Sequence, residues 1–208
     1  MYTLATRHAM RQYLQLADDD TADDIELMQA LQRASLMIES ITHRHYCPSV
    51  TTLTASINTD NPTLLILPDD LLSLITLTNG DGTMILPEHI QHIPNDSDQP
   101  ASALHLINGE AFIYDASPHN AISIHGIWGW HDRWSIAWRD STDTVQDAPL
   151  SDNTTTITIT DTYGVDEDGG SPRFQVGQLL QLESEYMRIL AIDDASNQLT
   201  VQRGVQGT

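Results

Sequence analysis

At Pro48 the apolar residues change period, and that switch bounds what the chain can fold into. Before it, Leu27, Leu31, Ala34, Ile38 and Ile41 recur in 4-3-4-3 steps, with Ile25, Met28 and Met37 widening the stripe. That spacing places the residues on one face of an α-helix. Thr21 stands where an N-cap belongs, and Asp23, Asp24 and Glu26 put negative charge against the positive end of the helix dipole. His43, Arg44 and His45 fall in the last turn, and Pro48, lacking an N–H, forbids continuation. The predicted helix therefore runs from Ala22 to Arg44. Ala5, Ala9, Met10, Tyr13 and Leu16 predict a first helix over Tyr2 to Leu16, closed by Asp18-Asp19-Asp20.

After Pro48 the chain reads as strands. Leu53, Ala55 and Ile57 alternate with polar residues, and Leu64 to Leu67 is a continuous apolar run ending at Pro68. Ile75-Thr76-Leu77 and Met84-Ile85-Leu86 flank the turn Asn79-Gly80-Asp81-Gly82 and are expected to pair as a hairpin. A second hairpin is expected from Leu104 to Ile107 and Ala111 to Tyr114, because Asn108-Gly109 suits the positive φ angles of a type I′ turn. Ile122 to Trp128 is a further strand, and Trp134 to Trp138 a short helix or turn. Residues 141–153 are rich in Ser, Thr and Asp, as a linker is. Beyond them Thr154 to Thr160, Leu179 to Leu182, Tyr186 to Ile192 and Leu199 to Arg203 read as a small all-β module. The expected fold class is α+β: an N-terminal helical domain with inserted β-hairpins over 1–140, a linker over 141–153 and the β module over 154–208.

Charge narrows the partners. Nine basic against 29 acidic side chains give 9 − 29 = −20, and every base is Arg. Gripping a duplex or an anionic membrane needs many cations to replace counterions, so neither is an expected partner. The one cysteine, Cys47, excludes an internal disulfide and a four-cysteine zinc site. The most apolar stretch, Thr63 to Leu77, is broken by Pro68-Asp69-Asp70 and is too short to span a bilayer, and no secretory h-region follows the first arginines.

Little in the chain reads as catalytic machinery. No G-x-S-x-G, P-loop, dinucleotide fingerprint or H-E-x-x-H is present, so no enzymatic activity, catalytic residue or cofactor is expected. His43, His45 and Cys47 would share a face only on a strand, and they straddle a predicted helix end. His89 and His92 could share a helical face but have only Glu88 nearby. Asp166-Glu167-Asp168-Gly169 lacks the alternating ligands of a calcium loop and reads as a solvated turn. No metal site is expected.

All four tryptophans lie within Trp128-Gly129-Trp130-His131-Asp132-Arg133-Trp134 and the following Trp138. Such a cluster is either a local core or a subunit interface, since Trp and Arg are enriched where one chain anchors on another. Trp128, Trp130, Arg133, Trp134 and Trp138 are the interface candidates.

The order of these pieces is similar to that of a known family. An acidic loop, Asp20-Thr21-Ala22-Asp23-Asp24, feeds a long helix ending Ser40-Ile41-Thr42-His43-Arg44. Strands follow, then Gly126-Ile127-Trp128-Gly129-Trp130. This resembles the head-to-tail connector, or head-completion adaptor, proteins of long-tailed double-stranded DNA phages. The segment from Gly177-Gln178-Leu179 through Arg203-Gly204-Val205-Gln206-Gly207-Thr208 is similar to a β motif of phage neck, tail and baseplate proteins. The resemblance implies a virion structural protein of the neck, assembled in the host cytoplasm. It would form a ring of identical subunits, commonly a dodecamer, bound to the portal protein on one side and to the next neck or tail protein on the other. Double-stranded DNA would pass through the channel without sequence-specific binding. The alternative is a tail-side or baseplate adaptor with no conduit role. In a ring, the excess acid either faces outward and serves solubility or in part lines the channel, the channel candidates being Asp18, Asp19, Asp20, Asp23, Asp24, Asp69, Asp70, Asp166, Glu167 and Asp168.

Overall fold

A computed structural model describes residues 2–17 and 22–208. Among the described residues it is a mostly β protein: two helices, α1 (Arg7–Tyr13) and α2 (Asp24–Thr42), accompany ten strands in two antiparallel sheets. This corrects the expected fold class, because no N-terminal helical domain forms. The reason lies in what the helices cover. Of the long apolar stripe only Leu31 is buried, while Ile38 and Ile41 remain 44% and 68% exposed. The cores are built by strands.

Two compact units divide the chain, 42–138 and the pair of segments 1–41 with 139–208. The first consists of β1 (Ser49–Ala55), β2 (Leu64–Thr78), β3 (Met84–Ile85), β4 (Ile90–Ile93), β5 (Ala101–Leu106) and β6 (Ile122–Trp128). The strand order is β1-β6-β2-β5-β4, with β3 on β2. Leu65, Leu71, Leu77, Leu104, Ile122 and Ile124 form its dry centre, each side chain contributing about 1.5–3 kcal/mol by leaving water. The two apolar runs around Pro68 are one strand. Its register on β5 slips between Ile66 and Leu71, so Pro68, which has no N–H to donate, sits where pairing is already interrupted. The first half of β2 then serves β5 and the second half serves β6.

The β2–β3 hairpin forms as expected, with Leu77 opposite Ile85. The Asn108-Gly109 hairpin does not. Both residues take positive φ, 65° and 82°, yet residues 111–114 do not return along β5. Both sides of β5 are already occupied, by β4 (Ile90 opposite Leu106) and by β2 (Leu64 opposite His105). The chain leaves the sheet instead, and Phe112 N–H donates to the Pro62 carbonyl at 2.7 Å. His89 and His92 share no helical face either: His89 ends a 3-10 turn and bonds Glu110 at 2.7 Å, and His92 lies on β4, where burial holds its pKa below the ordinary value.

The second unit places α1 and α2 with β7 (Thr156–Thr158), β8 (Leu179–Leu182), β9 (Glu185–Asp193) and β10 (Gln198–Gln202), in the order β7-β10-β9-β8. Ile157, Met187, Ile189, Leu199 and Val201 are its core. Thr6 Oγ1 caps α1 by accepting from Ala9 N–H at 3.1 Å. The N-terminal residues run along α2, where Leu4 N–H donates to Ser35 Oγ at 2.9 Å and the Tyr2 hydroxyl bonds Glu39. The stretch read as a linker is bound into the unit. Val145 and Leu150 pack on the core, and Asp143, with its side chain 2% exposed, accepts from Thr160 N–H and Asp161 N–H at 3.1 and 2.8 Å.

Candidate functional site

The tryptophan segment begins where β6 ends, and β1 decides what meets it. β1 and β6 run antiparallel with Ser49 opposite Trp128, so the residues just before β1 lie beside those just after β6. Trp130 N–H donates to the His45 carbonyl, at 2.6 Å, two residues out of the β1–β6 register. Gly129 makes this possible. Its φ of 147° is outside the range that suits a side chain, and a Cβ there would stand 3.3 Å from the carbonyl oxygens of both His45 and Cys47.

Arg44 lies over the Trp130 ring, its guanidinium carbon 3.2 Å from the ring centroid. The same guanidinium reaches Asp70 at 3.7 Å, and His45 Nδ1 meets Asp69 at 2.9 Å. Asp69 and Asp70 come from the break in β2, so an irregularity in the strand supplies the acids. Burial, the largest influence, raises the Asp70 pKa above its ordinary value; Arg44 opposes the shift and neighbouring Asp69 adds to it. The guanidinium is thus held between a π face and a carboxylate whose charge is costly to keep.

The five interface candidates divide. Trp128 is 3% exposed and donates its indole N–H to the Thr51 carbonyl at 3.0 Å, which makes it core. Trp130, Trp134 and Trp138 are half-buried and Arg133 is exposed. Trp134 opens a 3-10 turn, Trp134–Ile136, anchored by its N–H to the Asp98 carbonyl at 3.1 Å and by Ser135 to the Asp98 carboxylate. Its ring meets Trp138 edge to face with centroids 6.4 Å apart, and His131 at 6.5 Å. Ile136, 61% exposed, projects from the same turn. The result is a fixed aromatic ledge with an apolar tip, a surface that a partner can cover at little entropic cost.

The acidic candidates are largely engaged within the chain. Asp24 holds both Arg7 and Arg11, at 2.8 and 2.6 Å. Asp166 caps its own turn, accepting from Gly170 N–H at 2.6 Å, and shares Arg139 with Asp168; Glu167 accepts from Asp140 N–H at 2.7 Å. Asp23 is exposed, and Asp18, Asp19 and Asp20 lie outside the described residues. Among the described residues no three His, Cys, Asp or Glu side chains gather as a metal site would need. His43 is exposed with φ 53°, His45 is taken by Asp69, and Cys47 is half-buried. No described helix is long and apolar enough to cross a membrane.

Arg44, His45, Asp69 and Asp70 were not singled out as a group by sequence. The available signal was the β1–β6 pairing: with Ser49 opposite Trp128, the residues just before β1 are brought to the same end of the sheet as those just after β6. Comparison with protein families, characterised proteins and solved structures finds no match for this chain.

Proposed function

We propose that the chain is a structural adaptor of a bacteriophage virion, a neck subunit that assembles with copies of itself beneath the portal and around the DNA path. The observation that carries the reading is the Arg44–Trp130 stack. It joins the end of the long-helix segment to the Gly-aromatic-Gly-aromatic segment, the two pieces on which the resemblance to head-to-tail connectors rests. The ledge of Trp134, Trp138 and Ile136 beside it has the composition of an anchoring surface. An excess of 20 negative charges suits a conduit that DNA crosses without being gripped. The internally paired acids of the tryptophan site and the 166–168 turn make poor channel linings, so that role falls to exposed acids such as Asp23. In this reading the chain has no catalytic turnover.

Cryo-EM of a virion that carries this protein tests the proposal. A closed ring of this chain between portal and tail is expected. Its location at the baseplate would favour the tail-side adaptor instead, and its absence from the particle would overturn both.

A further inference from the structure

The unit formed by 1–41 and 139–208 contains a cleft of about 290 Å³ that the proposal above does not use. Arg7, His8 and Arg11 of α1 line it together with Asp24, and the rest of the lining is mainly apolar or aromatic, including buried Phe174 and Tyr163, which is 63% exposed at the rim. A hydrogen bond from Thr6 to Gln175 ties the start of α1 to the 172–176 loop. Two guanidiniums share the single Asp24 carboxylate, 2 − 1 = +1 with His8 neutral, in a chain whose total is −20. Arg11 is buried, whereas the Arg7 side chain is 37% exposed. The wall is not self-satisfied: His8 Nε2 is shielded from solvent and has no hydrogen-bond partner among the described residues.

We infer that this cleft receives an acidic side chain from a second copy of the chain. The inference rests on the self-assembly proposed above. Its volume is near the lower end of ligand pockets, enough for a side chain or two and too small for a folded element. Charge complementarity selects the occupant. Copies of a chain with 29 acids repel one another, and a local positive site lined by aromatic surface is where an exposed acid of a neighbour gains most. Exposed acids are plentiful, Asp115 among them.

Arg7→Glu and Tyr163→Ala, each in the full chain, test this by sedimentation of the assembled protein at low and high salt. Both are expected to weaken self-association by roughly tenfold, and Arg7→Glu to remove much of its salt sensitivity. Tyr163→Ala keeps the test decisive if Arg7→Glu disturbs the Asp24 pairing and fails to fold. Association of both variants within about twofold of the unsubstituted protein, at either salt, would overturn the cleft while leaving the adaptor reading intact. A wild-type chain that stays monomeric at every concentration would overturn the two together.

Discussion

Arg44 stacks on Trp130 with its guanidinium carbon 3.2 Å from the ring centroid while also reaching Asp70 at 3.7 Å. One side chain therefore links the approach to β1, the exit of β6 and the break in β2. Arg44→Ala removes the stack and leaves Asp70 without its cation. The expected cost is about 1–2 kcal/mol, or roughly 5–10 °C in the melting temperature of a unit this size. Arg44→Lys keeps the charge but not the planar face and should recover only part of the loss. Differential scanning calorimetry of the three proteins checks this.

The same site has a pH signature. Because burial raises the Asp70 pKa in the folded chain, its ionisation disfavours the folded state: that cost is absent below the ordinary aspartate range and appears as pH rises through the folded value. On acidification Asp70 takes its proton before ordinary carboxylates do, and Arg44 loses its carboxylate partner. The Trp130 emission, isolated as the difference between wild type and Trp130→Phe, should change ahead of any unfolding. A change that coincides with global unfolding would refute this.

The other unit responds with the opposite sign. The Arg203 hydrogen bond holds the Glu185 pKa below its ordinary value against the effect of burial, with help from Gly204 N–H and the Arg203 charge. At Asp143 burial acts upward but is outweighed by hydrogen bonds from Asp161, Thr144 and Thr160, so its pKa is lowered too. Both contribute stability that is complete above the ordinary carboxylate range and is lost as pH falls through the depressed values. Amide exchange in β9 and β10 should accelerate there. Arg203→Ala, which strips Glu185 of its partner, should destabilise this unit by about 2 kcal/mol at neutral pH and flatten that acid dependence.

Two glycines separate space from conformation. A Cβ at Gly126 would stand 2.6 Å from the Ser73 carbonyl oxygen and 2.7 Å from Leu71 Cδ1, so Gly126→Ala should cost about 3 kcal/mol or prevent folding. At Gly109 a Cβ meets nothing, and the only penalty is the φ of 82°. Gly109→Ala should therefore cost about 1 kcal/mol. Urea denaturation of both variants gives the comparison.

Local pattern and tertiary placement diverge at particular residues. Ile122 to Trp128 is β6 residue for residue, with burial alternating along it, and Leu179 to Leu182 is β8, because a short apolar run bounded by turn residues marks a strand locally. The stripe on α2 correctly marks a helix, but periodicity says that a face is apolar and not what covers it, and Ile41 stays in water. Asn108-Gly109 fixes two φ angles and nothing about whether the next residues find a free strand edge. Arg44 reads locally as a helix-end cation, and its place over Trp130 follows only from a strand pairing between distant residues.

Native mass spectrometry of the full-length chain, beside Trp134→Ala, tests most directly whether this protein is a self-assembling adaptor anchored on its aromatic ledge. One closed oligomer of fixed stoichiometry is expected for the wild type, and a shift toward monomer for Trp134→Ala with its circular dichroism spectrum unchanged. A wild-type monomer across the concentration range, or an oligomer indifferent to the loss of Trp134, would contradict it.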